Sequence, residues 1–407
     1  VNARRAAMSA AGARRKIAGA RARHRPVPAR ASASAQVPGP AQAPSPAQAH
    51  SAPLTFGVEE EFLLLDAATG ALAPAGHDVL ALLEGEPGYT HELMLYQVEA
   101  VTGVCSTLEE ARRQLLARRE LAAEAAALLG CRLVASGIAP SPPPAAHPVT
   151  PDPRYGELAR MFPALMARGA TCGCHVHVGV PSRALGVQVL ARLRPWLATL
   201  LAVSANSPIA DGRESSWASR RYVRWCGWPS AVPPMRWRDP GAYDAEVRRI
   251  IERGGALDER GVYFHARLSP RYPTVEVRIA DAGLTVDDTI LITALVRALV
   301  ATALEDARRG APCPSVPEAR LRAALSHAAR EGAEGTGIDP CTGRVVPQRL
   351  LLDRLLAHVT AADHLAPLLA GLYERGTGAA RQRALWSRAG ADPAAYARLL
   401  AEATLAG

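Results

Sequence analysis

The chain has 407 residues, 49% of them hydrophobic, enough apolar material for a large core. Its formal net charge of +9 hints at a polyanionic partner, but nine of the basic residues fall in residues 1–52, which hold no Asp or Glu. The remaining 38 basic residues balance 38 acidic ones, so the body is neutral and argues against a nucleic-acid-binding role. Seven irregularly spaced cysteines make no small disulfide framework. With no apolar run of the ~18 residues a membrane span needs, and no secretory h-region, the expectation is a cytoplasmic protein.

Residues 1–52 are rich in Ala, Arg, Pro and Ser. Such a segment buries too little apolar surface to offset its ordering entropy and reads as a disordered tail preceding one body, residues 53–407. Lys16 is the only lysine, a bias expected of a GC-rich, bacterial genome.

Thr55–Asp66 (TFGVEEEFLLLD) reads as a strand. Gln97–Val101 is a second, short one. Leu108–Leu129 has helical composition, capped by Ser106 or Thr107 and stopped by Gly130. Arg132–Ser136 reads as a strand and Pro140–Pro153 as a loop. A helix follows over Arg154–Arg168, then a strand over Cys172–Val180. Leu185–Val203 is helical with a kink expected at Pro195. Residues 206–240 show little periodicity, and so long an irregular stretch is usually functional. Val262–Leu268 and Thr274–Ile279 read as strands joined around Pro270–Pro273. From Asp287 to about Leu400 the pattern is helical, broken by a loop at 332–346. Strands separated by helices predict an α+β fold, one mostly antiparallel sheet with helices packed against it.

The chemistry-bearing residues sit in these strands. Side chains alternate along a strand, so Glu59 and Glu61 share a face while Glu60 points to the other. Adjacent carboxylates among Phe56, Val58, Phe62 and Leu64 require a compensating positive charge, and oxygen ligands suit Mg²⁺. Glu99 repeats the pattern; alone it reads equally as a ligand or as half of an ion pair. In Cys172-Gly-Cys-His-Val-His-Val-Gly179, alternation sets Cys172, Cys174, Val176 and Val178 on one face and His175 and His177 on the other. The thiols then read as core fillers. A zinc-dependent hydrolase built on Cys172, Cys174, His175 and His177 is the rival reading. Glu276 and Arg278 share a face, as a surface ion pair or as a metal carboxylate beside an anion-binding guanidinium.

Taken in order, Phe56-Gly-Val-Glu-Glu-Glu-Phe62, Gln97-Val-Glu99, Cys172–Gly179, Ser204-Ala-Asn-Ser-Pro208, Pro273-Thr-Val-Glu-Val-Arg278 and Gly376-Thr-Gly-Ala-Ala-Arg-Gln-Arg383 resemble the glutamate–cysteine ligase type 2 family of carboxylate–amine ligases, over residues 54–400. The resemblance implies a glutamine-synthetase-like fold whose antiparallel sheet forms a funnel for ATP and Mg²⁺. It implies that ATP phosphorylates a carboxylate, typically the γ-carboxylate of glutamate, which an amine then attacks to form an amide. Carried over residue by residue, Glu59, Glu61, Glu99, His175 and Glu276 would hold the metals, and Arg278 and Glu61 would be catalytic. Asn206, Ser219, Arg221 and His177 would lie on the substrate side. The partners implied are small molecules, with no nucleic acid and no membrane; oligomeric state is left open. Gly137-Ile-Ala-Pro140 and Ser215-Ser216-Trp217 depart from the Gly-Thr-His-Pro and Thr-Gly-Tyr of many relatives, leaving the acid and the amine undefined. A non-catalytic ligand-binding relative is a further alternative.

Overall fold

The computed structural model describes residues 54–143, 148–359 and 365–406. The expected disordered tail, residues 1–52, lies outside them. Seven strands form one antiparallel sheet: β1 (Phe56–Asp66), β2 (Tyr89–His91), β3 (Gln97–Val101), β4 (Cys131–Val134), β5 (Gly173–Gly179), β6 (Ala266–Leu268) and β7 (Thr274–Asp281). Their order is β2-β3-β1-β5-β7-β6, with β4 pairing the far end of β1. β1 is central. Glu59 pairs with Val101 on one side and His175 on the other, and Glu61 lies opposite Glu99. On β7, Glu276 lies between His177 of β5 and Arg267 of β6. The register therefore brings residues distant in sequence side by side.

The back of the sheet is the core. Phe56, Val58, Cys174, Val176, Val178, Val275 and Val277 are all at most 2% exposed. They pack with α2 (Arg183–Leu193), α3 (Leu197–Ser204) and α5 (Val286–Arg308). α1 (Leu108–Leu128) begins at Thr107, whose side chain accepts from the Glu110 N–H, and packs Leu121, Ala122 and Ala125 against Phe62 and Val98. α5 opens with a capping box in which Thr285 and Asp288 satisfy each other's backbone N–H.

Departures from expectation follow from local chemistry. The helix expected over 154–168 splits at Phe162, because Pro163 disfavours helical geometry in the residue before it. Pro195 divides 183–204 into α2, a 3₁₀ turn and α3, as a kink requires. The strand expected from Val262 is confined to Ala266–Leu268, since the Tyr263 and His265 N–H groups donate to Ser230 Oγ and the Val232 carbonyl rather than to a strand. The irregular 206–240 stretch contains α4 (Arg220–Trp225) and a small ribbon at Ile209–Glu214. The loop at 332–346 holds a second ribbon.

Candidate active site

Alternation on the strands separates chemistry from core. Glu60 points to the back, 1% exposed, where the α1 residue Arg119 meets it through Nε and Nη2 at 3.0 and 2.5 Å. Glu59 and Glu61 point to the front. Glu59 Oε2 lies 3.1 Å from His175 Nδ1, and Glu59 Oε1 lies 3.1 Å from His177 Nε2. Glu61 Oε2 accepts the Gly173 N–H at 2.6 Å, and Glu61 Oε1 is 3.7 Å from His175 Nε2. His177 Nε2 is also 3.9 Å from Glu276 Oε1, while its Nδ1 meets Thr274 Oγ1 at 3.0 Å. Arg278 pairs with Glu276, which also accepts from Arg267 at 2.7 and 3.2 Å.

Charge is distributed unevenly in this cluster. Burial alone would raise Glu59, yet the hydrogen bond from His175 and the adjacent His177 imidazole hold it well below the usual carboxylate range. Burial pushes Glu61 up to about 8, with the nearby Glu92 adding to it. Burial also lifts Glu99 well above its ordinary value, reinforced by Glu59, Glu92 and Glu61. Glu276 resists burial because Arg267 and Arg278 keep it ionised, well below its ordinary value. Burial, with Arg278 adding, brings His175 down to about 4. His177 is raised because Glu276 and Glu59 outweigh its burial. Glu276 is matched by its arginines, whereas Glu61 and Glu99 are raised by burial and by neighbouring carboxylates, so added positive charge would favour their ionised forms.

Two sets of donors face one another closely enough to share a cation: Glu59, His177 and Glu276, and Glu59, Glu99 and His175, each with ligand atoms within 4.8 Å. Four of the five residues expected as metal ligands are thus brought together. Glu61 sits beside them through His175, and His177, expected on the substrate side, also lies within one of the two groupings.

The substrate-side expectations are placed as follows. Arg221 reaches the site from α4, its guanidinium 4.9 Å over the Trp225 ring and donating to the Ile279 and Arg278 carbonyls. Gly173 admits it, since a Cβ there would lie 2.3 Å from Arg221 Nη2. Asn206 and Ser219 are 1% and 0% exposed. Asn206 donates to the Ala135 and Ala282 carbonyls, and Ser219 donates to Asp281 Oδ1. Ser219 also caps α4, which carries Arg221, by accepting from the Tyr222 N–H.

The two thiols do not share surroundings. Cys174 packs behind the sheet with Val176 and Val178, whereas Cys172, just before β5, packs with Leu63 and Tyr96. The expected common face fails because Cys172 lies outside β5, which begins at Gly173. Burial pushes both thiols up, Cys172 well above its ordinary value. Neither belongs to a ligand grouping among the described residues, so the arrangement gives the zinc reading no support.

Sequence reasoning missed Glu92 and Arg267. Burial raises Glu92, and it bears electrostatically on both Glu61 and Glu99. Its signal was the one used for Glu99, an acid beside apolar residues, here Leu93 and Met94. Arg267, between Ala266 and Leu268, carried the same signal.

Residues 55–402 match the model of the glutamate–cysteine ligase family 2. The chain is 44% identical over 366 residues to a Salinispora arenicola protein named "Putative glutamate--cysteine ligase 2", covering 87% of this chain and 96% of that one. It is 43% identical over 362 residues to a similarly named protein, ligase 2-2, of Mycobacterium sp. strain KMS, covering 86% and 99%. Among solved structures it resembles a Francisella tularensis glutamate–cysteine ligase in complex with AMP, with a TM-score of 0.59 at 13% identity over 86% of this chain and 89% of that one. It also resembles a bifunctional glutathione synthetase from Pasteurella multocida, with a TM-score of 0.59 at 17% identity over 86% of this chain and 52% of that one. The fold is accordingly the glutamine-synthetase-like one expected, and the chain belongs to the glutamate–cysteine ligase family 2, ATP-dependent carboxylate–amine ligases of glutamate–cysteine ligase type.

Proposed function

We propose that this chain activates the γ-carboxylate of glutamate as an acyl phosphate and joins it to an amine, cysteine in the namesake reaction. The observation that carries this reading is the convergence of Glu59, Glu61, Glu99, His175, His177 and Glu276 from four strands onto one face, beside Arg278. Phosphoryl transfer to a carboxylate assembles several anions, and positioning with charge neutralisation does most of the catalysis.

The residues fit a hard divalent cation such as Mg²⁺. Their donors are carboxylates and imidazoles, the carboxylates crowd one another, and the buried His177 Nε2 has no properly directed hydrogen bond. Glu59, Glu99, His175, His177 and Glu276 would hold it, and bound there it would neutralise nucleotide phosphate charge. Arg278, fixed by Glu276 and 5.8 Å over the Tyr263 ring, offers its guanidinium to phosphate or carboxylate oxygens. Arg221 adds a second buried cation, held by backbone carbonyls rather than by a full ion pair. The buried surround keeps water from the acyl phosphate, which favours aminolysis over hydrolysis.

We place the whole described body in one catalytic unit. A reducing, cytoplasmic setting is supported by seven free cysteines. No helix among the described residues is long and apolar enough to cross a membrane.

The test is ADP release from purified protein with MgATP, scanning amino acids and amines singly and in pairs. A Glu59→Ala/Glu61→Ala double variant is the control. Turnover requiring glutamate plus an amine, and lost in the variant, is the expected outcome. Absence of ATP binding would sink the ligase reading.

A further inference from the structure

Resting on that reading, a second feature of the same pocket bears on substrate choice. In front of the sheet a pocket opens whose charged lining is four arginines, Arg168, Arg221, Arg224 and Arg278, against two glutamates, Glu61 and Glu92. The metal-ligand groupings are made of carboxylates and imidazoles, whereas this neighbouring pocket is lined by more arginines than acids. Arg221 and Arg278 are tied to the sheet. Arg224 and Arg168 are not. Arg224 stands on α4, and Arg168 follows the short helix Pro163–Met166.

Arg224 is poorly compensated. Its side chain is 11% exposed, and its one carboxylate partner among the described residues, Asp211, is 41% exposed and 3.5 Å away. Its Nη1 is buried without a hydrogen-bond partner, beside Gly169. Burial holds its guanidinium below the usual arginine range, and Arg220 adds to that. Arg168 forms no ion pair among the described residues, and its Nη1 lies against Gly227, three residues beyond Arg224. A buried guanidinium with an open donor costs stability unless an anion arrives to meet it. Trp225, Trp228 and Tyr263 line the same pocket and would cover an aliphatic chain.

We propose that Arg224, supported by Arg168, forms a receptor for the non-reacting carboxylate of an amino-acid substrate. The reacting carboxylate must lie by Arg278 and the Glu59 cluster, so a carboxylate at Arg224 is one that does not take the phosphoryl group. It belongs either to the α-carbon of glutamate or to the amine substrate. Both sources present the same chemistry, and both would make the pocket prefer amino acids over their decarboxylated analogues.

The experiment is calorimetric titration of the full chain with Mg²⁺ and a non-hydrolysable ATP analogue. Glutamate is compared with 4-aminobutyrate, and cysteine with cysteamine, in the wild type, Arg224→Gln and Arg224→Lys. A charge-assisted pair predicts that one amino acid binds the wild type about 10–100-fold more tightly than its decarboxylated analogue. In Arg224→Gln that ratio should collapse towards one, because only the carboxylate-bearing ligand weakens; Arg224→Lys should retain part of it. The pair whose ratio collapses names the source. A ratio unchanged in Arg224→Gln, an equal loss for both members of a pair, or no preference in the wild type overturns the proposal. Pair-dependent ADP release by the wild type with an unchanged ratio refutes this subsite while leaving the ligase reading intact. A collapsed ratio without any turnover refutes the ligase reading alone.

Discussion

Arg119→Met should destabilise this protein more than almost any single change outside the active site. Arg119 and Glu60 are each 1% exposed. Arg119 donates twice to Glu60, and to the carbonyls of Gly283, Leu284 and Thr404 at 2.8, 3.2 and 2.8 Å. Thr289 Oγ1 donates to the same carboxylate at 2.5 Å. One guanidinium therefore ties β1, the loop before α5 and the end of α8 (Pro393–Thr404, numbered after α6 at Glu318–Glu331 and α7 at Gly378–Arg388) to α1. Removing it leaves a buried carboxylate without its cation, which costs about 3–5 kcal/mol of a total of about 5–15. At ~2 °C per kcal/mol, the low end for large domains, the midpoint should fall by roughly 6–10 °C. Glu60→Leu should cost a comparable amount, by stranding Arg119. The double variant exchanges the pair for apolar groups and should recover about 2 kcal/mol relative to the summed single costs. Urea and thermal unfolding of the four proteins close the cycle. Additive costs, or a single-variant cost below about 1 kcal/mol, would refute the view that Glu60 and Arg119 act as one buried unit.

Other expectations are independent of that pair. His265 lies between the Tyr222 and Trp225 rings, and burial, with Arg221 and Arg322 adding, brings its pKa down from 6.5 to about 3. A depressed folded pKa means that its stabilising contribution is complete above pH 6.5 and is lost as pH falls towards 3. The slope is ~1.4 kcal/mol per pH unit, so about 2 kcal/mol should disappear between pH 6.5 and 5. His265→Phe should remove that limb in unfolding curves across this range; an unchanged acid limb would refute it. A Cβ at Gly137 would lie 2.7 Å from Asp281 Cγ. Asp281 accepts from the Asn206 N–H and from the Ser207 and Ser219 hydroxyls, so Gly137→Ala should disturb the loop leading to Arg221. It should cost about 1–3 kcal/mol and raise KM more than it lowers kcat, and steady-state kinetics with no change in KM would contradict that.

Most of the fold was legible because β3, β5 and β7 each alternate apolar and polar residues, while β1 sets three glutamates between apolar flanks. The placement of Glu60 behind the sheet and of Glu59 and Glu61 before it follows from period two alone. Pair identity was not legible. Nothing in the local sequence states that Glu61 lies opposite Glu99, or that Glu276 is flanked by His177 and Arg267, because register is fixed by packing across the sheet. The hydrogen-bond partners of Asn206 and Ser219 were hidden for the same reason. The resemblance puts them on the substrate side, and their side chains also donate to backbone carbonyls and to Asp281. Cys172 shows how far alternation extends: it holds inside β5 and ends at Gly173, where the strand begins.

The strand period also constrains how this site can change. On β1 the front positions hold Glu59 and Glu61, while the back positions hold Val58, Glu60 and Phe62, all at most 1% exposed. On β5, His175 and His177 face forward while Cys174, Val176 and Val178 fill the core. On β7, Glu276 and Arg278 alternate with Val275, Val277 and Ile279. A shift of one residue in any of these strands would send carboxylates or imidazoles into the core and valines into the site, losing packing and chemistry together. The Glu60–Arg119 pair does not fix the register of β1 by itself, because a one-residue slip would set Glu59 or Glu61 against the same guanidinium; the apolar back positions Val58 and Phe62 hold it. The front face is only partly secured by its own charges. Glu276 is held by Arg267 and Arg278, but Glu61, Glu92 and Glu99 are all raised by burial and by neighbouring carboxylates, so these three rely on the core behind them rather than on mutual attraction. That division explains how a crowded set of acids can persist at the centre of a sheet, poised to gain stability from whatever positive charge the reaction brings to it.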